Sequence, residues 1–152
     1  MAIPKGWQDF IRCLNEQGVD YLVVGATAVA YHGFPRFSGD IDFLVRASEA
    51  NALRAVEAIR AFGMGSLGLS VADFDQEGKV VQFGFEPNRI DVITSLSGVS
   101  FEEAWESRVT TTIDGLPINM IGLAALLRNK ESTGRSKDQI DAFELRKMEE
   151  LE

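Results

Sequence analysis

Apolar residues fall along the chain in runs whose spacing switches between a helical and a strand period. Trp7, Phe10, Ile11 and Leu14 recur at helical spacing, and Gly18 closes that segment. "VDYLVVG" (Val19–Gly25) is nearly continuous in apolar residues and predicts a buried strand ending at Gly25. "ATAVAYHG" predicts a short, alanine-rich helix that packs close to its neighbours and stops at Gly33. "FPRFSG" is a loop, and "DIDFLVR" (Asp40–Arg46) is a second strand. Ser48 can cap the helix "EANALRAVEAIRAFG", with Glu49 in its first turn and Gly63 at its end.

The glycine-interrupted stretch Met64–Gly78 carries no clear period. "KVVQFGF" and "RIDVITS" then predict two strands joined at "EPN" as a hairpin. "SFEEAWES" predicts a short helix, and "VTTTIDGLPINMI" two extended pieces turning at Asp114 and Gly115. Two helices end the pattern, "GLAALLRNKEST" and "SKDQIDAFELRKMEEL", the second with Ser136 and Gln139 spaced as a capping box. No repeat or linker interrupts the order. The expectation is one α/β (α+β) domain over residues 1–152: a mixed central sheet flanked by helices, with helices at its C-terminal end.

Composition narrows the classes of function. Hydrophobic residues make up 45% of the 152 and charged residues 25%, the balance of a packed domain. The apolar runs are shorter than a bilayer requires and no basic-then-apolar leader opens the sequence, which predicts a cytoplasmic protein that does not enter a membrane. With one cysteine, Cys13, and one histidine, His32, the chain can form neither an internal disulfide nor a Cys- or His-rich metal site. Cys13 reads as a small packing residue and His32 as a hydrogen-bonded structural one. The formal charge of −8 argues against a broad electrostatic grip on nucleic acid.

Against that background "VVGATAVAYHGFPRFSGDIDFLV" (Val23–Val45) is anomalous. An inner strand normally avoids carboxylates, yet Asp40 and Asp42 enter one with only Ile41 between them. Residues two apart on a strand share a face and lie about 6.6 Å apart along the chain. Two ionised carboxylates at that spacing repel by roughly 2–3 kcal/mol at an effective dielectric near 20. Asp91 sits in the same apolar setting, between Ile90 and Val92. Three carboxylates on adjacent strands offer the oxygen-rich coordination that Mg²⁺ prefers. Gly25, Ala26 and Thr27 open a helix with small side chains, which lets a phosphate approach backbone N–H groups.

Taken together these residues resemble the signature of the nucleotidyltransferase superfamily related to DNA polymerase β. That signature runs from a hydrophobic residue and Gly, through Gly or Ser and a short helix, to Asp-hydrophobic-Asp, with a third carboxylate on a later strand. The segment "AVAYHGFPRFSGDIDFLV" and the tail "LLRNKESTGRSKDQIDAFEL" are similar to small bacterial members, among them AbiEii-type toxins of toxin–antitoxin systems and their single-domain relatives. The resemblance implies a nucleotidyltransferase fold and a Mg²⁺-dependent transfer of an NMP from an NTP to a hydroxyl or similar acceptor. RNA such as tRNA, a protein or a small molecule would each fit as acceptor, and a homodimer or a cognate antitoxin as partner.

Carried onto this sequence, the resemblance makes Asp40, Asp42 and Asp91 the ligands of two Mg²⁺ ions, with Mn²⁺ as a substitute, and Asp91 the base or its orienter. Gly25, Ala26 and Thr27 would hold the triphosphate; Ala26 stands where the family has Gly or Ser, keeping the backbone donor and dropping the hydroxyl. Arg36 and Lys130 are the first candidates to neutralise the phosphates, followed by Arg135 and Lys137. The rival reading is a catalytically inactive nucleotide-binding or antitoxin-like regulatory module of the same fold.

Overall fold

A computed structural model describes residues 1–151. The chain order is α1 (Lys5–Glu16), β1 (Tyr21–Val24), α2 (Gly25–Tyr31), β2 (Asp40–Val45), α3 (Glu49–Ile59), β3 (Val80–Phe83), β4 (Arg89–Ile93), α4 (Phe101–Glu106), β5 (Val109–Ile113), β6 (Leu116–Met120), α5 (Leu123–Ser132) and α6 (Ser136–Glu150). Six strands form one mixed sheet in the order β3-β4-β2-β1-β6-β5. β1 runs antiparallel to β2, whereas β4 lies parallel to β2 on its other side. The predicted hairpins β3–β4 and β5–β6 form the two flanks.

The helix α1 covers the sheet because its apolar stripe of Trp7, Phe10, Ile11 and Leu14 is buried there. Phe10 sits at the middle of an aromatic cluster, edge-to-face with Phe43, Phe62 and Phe83 at 5.2–5.4 Å between ring centroids. That cluster joins α1 to the centre of β2 and to β3, so the strand bearing Asp40 and Asp42 is anchored through Phe43. Tyr21, also fully buried, donates its hydroxyl to Asn15 (2.8 Å), and burial pushes its pKa up to about 12.

Ser48 caps α3 as its position predicts, accepting from the Asn51 backbone N–H (3.2 Å). Regular helix ends at Ile59, and a wider π turn, Arg60–Met64, carries the chain to Gly63 at φ 99°. The aperiodic stretch that follows holds two 3-10 turns and buries Phe74 completely. One expectation fails. Ser136 does not cap α6; Arg135 holds the cap position and no side chain closes it. The start of α6 is fixed instead by Asp138, which accepts from Thr133 Oγ1 (2.7 Å) and Arg135 Nε (2.9 Å) and so ties the helix to the turn before it. Among the described residues no helix is long and apolar enough to cross a membrane.

Candidate active site

The site grows from the parallel pairing of β2 and β4. Its register sets Asp42 beside Asp91 and Asp40 beside Arg89. Strand alternation turns Ile41 and Phe43 into the core, both fully buried, and leaves Asp40 and Asp42 half-buried on the opposite face. Carboxylate oxygens of Asp40, Asp42 and Asp91 lie within 4.8 Å of one another, close enough to share a metal ion. An all-oxygen donor set of this kind suits a hard divalent cation.

Gly25 is needed where β1 meets α2. Val24 pairs with Asp42, and the next residue turns at φ 69°. A Cβ at that position would lie 2.1 Å from Asp42 Oδ2. The turn therefore gives the carboxylate its space, and Gly25 and Ala26 both reach the wall of the acidic cleft. Thr27 does not join them there. Its side chain is buried, and it lines a neighbouring cavity together with Arg36 and Trp7. His32 closes α2 by donating from Nε2 to the Ile121 carbonyl (2.7 Å), the structural role its sequence position suggests.

The cleft has a volume of about 330 Å³, and α5 and α6 supply its second wall, where Lys130 and Lys137 join Arg135 of the turn between the two helices. Lys130 is buried and ion-paired: its Nζ donates to Asp138 (3.0 Å) and lies 3.2 Å from Asp141 Oδ2. Arg36 also pairs with Asp141, which is wholly buried. Burial alone would raise the Asp138 pKa, yet hydrogen bonds from Thr133 and Lys130 and the charges of Lys130 and Arg135 hold it below the usual carboxylate range. Asp42 goes the other way. Burial, with the charges of Asp40 and Asp91 beside it, pushes its pKa up to about 7.

Three further site residues were not singled out by the sequence pattern. Arg89 forks onto the triad, with Nε 3.0 Å from Asp91 Oδ1, Nη2 3.2 Å from Asp91 Oδ2 and 2.5 Å from Asp40 Oδ2. Its signal was its spacing, since residues 89 and 91 of one strand share a face. Asp138 and Asp141 are three apart on a helix, hence on one face, but nothing in the sequence places that face against Lys130.

No family model matches this chain, and neither does any curated protein. Solved structures do. An antigenic nucleotidyltransferase-like protein from Paracoccidioides brasiliensis superposes with a TM-score of 0.56 at 14% identity, over 95% of this chain and 73% of that one. ANT(2″)-Ia, solved in complex with adenylyl-2″-tobramycin, gives a TM-score of 0.56 at 14% identity, over 95% and 91% of the two chains. The mixed six-stranded sheet flanked by helices is thus a nucleotidyltransferase fold.

Proposed function

We propose that residues 1–152 act as one nucleotidyltransferase domain that moves an NMP from an NTP to a hydroxyl acceptor with the help of Mg²⁺ or Mn²⁺. One observation carries this reading: three carboxylates from adjoining parallel strands converge within 4.8 Å in a cleft that Lys130, Arg135 and Lys137 also line, the first two of them paired with Asp138. Asp40, Asp42 and Asp91 would hold the metal, which when bound polarises the α-phosphate and offsets charge on the attacking and leaving oxygens.

The chain's own groups divide the remaining work. Gly25 and Ala26 bring main chain without bulky side chains to the cleft, so phosphates can come close to the backbone at the start of α2, where Thr27 contributes through its N–H alone. Lys130, Arg135 and Lys137 line the same cleft as the triad and would draw the triphosphate across it. Arg36 reaches a nucleotide only by releasing Asp141; in its present pairing it ties the loop before β2 to α6. As the acceptor oxygen bonds to the α-phosphorus, the bond to the β-phosphate oxygen breaks and pyrophosphate departs. The hydroxyl proton passes to Asp91.

A net charge of −8 favours a small or cationic acceptor over a long polyanion. The complex of ANT(2″)-Ia with an adenylylated tobramycin supports the same preference. The motif resemblance is what supports a toxin–antitoxin setting and a homodimeric or antitoxin partner. Calorimetry with each of the four NTPs in Mg²⁺ tests the core of the proposal without knowledge of the acceptor. At least one NTP should bind in a metal-dependent way, and Asp40→Asn/Asp42→Asn should weaken binding by tenfold or more, about 1.4 kcal/mol. A folded protein that binds none of the four would favour the inactive regulatory module instead.

A further inference from the structure

Among the described residues, Arg89 is the only cationic side chain within 4.0 Å of a triad carboxylate. Its position is built rather than incidental. Parallel pairing sets residue 89 beside Asp40, while strand alternation puts it on the same face as Asp91. The guanidinium thus grips Asp91 with two nitrogens and reaches Asp40 with one of them. Arginine suits this bridge because its planar fork matches carboxylate geometry.

We infer that Arg89 is a resident counter-cation, which holds Asp40 and Asp91 together until a divalent ion arrives and competes with that ion for the same oxygens. This rests on the metal-site reading above and adds to it that the chain's own arginine sets its metal affinity. A lone pair engaged by a guanidinium N–H is not free to coordinate a metal, and a guanidinium so close to a divalent cation is repelled by it. Arg89 therefore leaves as the ion enters. A destination stands ready, since its Nη1 lies 3.8 Å from the exposed carboxylate of Glu86 in the β3–β4 turn. Arg89 is also partly open to solvent, so the swing crosses no packed core.

The arrangement also explains how the fold tolerates its triad without metal. Of the three carboxylates, Asp40 and Asp91 have the arginine. Asp42 has no cation in contact among the described residues. An arginine bridging two members leaves the third to carry the residual repulsion.

The test is Mn²⁺ binding by calorimetry without nucleotide, on wild type, Arg89→Gln and Arg89→Lys, with thermal melts of each with and without Mn²⁺. Arg89→Gln should bind Mn²⁺ about tenfold tighter than wild type or better. Its metal-free melting point should fall, and its Mn²⁺-induced rise should exceed that of wild type. Arg89→Lys keeps a charge but cannot fork two carboxylates, so its affinity should lie between the two. Equal or weaker Mn²⁺ binding by Arg89→Gln overturns the competition and leaves the metal site standing. Absence of Mn²⁺ binding in all three proteins overturns both. If Arg89→Gln fails to fold in any condition, Arg89→Lys decides: tighter binding than wild type supports the competition, and unchanged or weaker binding rejects it.

Discussion

Gly25 joins two demands in one residue. Its φ of 69° lies in the left-handed region, and the space a side chain would need is filled by Asp42 Oδ2. An alanine there carries a backbone penalty of about 1–2 kcal/mol and a steric one of similar size, because the Asp42 carboxylate must move aside and its Cγ and Cβ, at 3.1 and 3.3 Å, crowd the same space. Gly25→Ala should therefore destabilise the fold by about 2–4 kcal/mol, read from denaturant unfolding. It should also abolish metal-dependent NTP binding by displacing Asp42, even where the protein is fully folded. A variant that loses stability but binds NTP normally would show that Asp42 has room to move. The glycine was legible as a turn between strand and helix, and its small neighbours suggested access for phosphate. Its closest obligation is to a carboxylate far along the chain, which only the pairing of Val24 with Asp42 brings beside it.

At the scale of elements, the pairing of α5 with α6 turns on a buried charge network. Asp141 is wholly buried between Arg36 and Lys130, and Lys130 is shared with Asp138. Removing one member strands the others in a poorly solvated interior, so Asp141→Ala should cost about 3–5 kcal/mol. The pair Arg146–Glu131 joins the same two helices from outside, at 2.5 Å with both side chains largely exposed. Screening by water limits it to under about 1 kcal/mol, and Glu131→Ala should barely move the melting point. Comparing the two melts checks that the link runs through the buried network. Elements of this kind were legible wherever burial imposes a period: the inner strands, α1, and the hairpins at "EPN" and at Asp114–Gly115. The polar α6 offered no such stripe, so its inward face could not be read. The order β3-β4-β2-β1-β6-β5 was equally out of reach, because strand neighbours separated in sequence are chosen by packing that local spacing does not record. Asp40, Asp42 and Asp91 were readable for the opposite reason, as charges where the strand pattern demands apolar residues.

For the whole molecule, the triad makes stability depend on pH in an uncommon direction. Most carboxylates that gain partners on folding lose protons more easily than in the unfolded chain, and Asp138 follows that rule. Its contribution is complete above the ordinary carboxylate value and fades as pH falls below about 4. Asp42, facing Asp40, Asp91 and the more distant Lys130, has its pKa moved from 3.8 to about 7. Between those values the native state keeps a proton that the unfolded state has released, so stability declines as pH rises through that window. A tenfold difference in proton affinity between the two states is worth about 1.4 kcal/mol, which puts the loss above pH 7 at a few kcal/mol. For a chain of this length that is several degrees of melting temperature. The metal-free protein should accordingly be most stable near pH 4 and melt progressively lower toward pH 7.5. Asp42→Asn should flatten the upper limb and leave the acid limb untouched, because Asp138 lies in the separate α5–α6 network. Saturating Mn²⁺ should flatten the same limb by favouring the ionised triad, and its stabilisation should therefore grow with pH. Melting curves from about pH 2.5 to 8, with chelator and with Mn²⁺, measure both limbs at once, and a Mn²⁺ effect that stays constant from pH 4 to 8 would detach metal binding from the Asp42 proton.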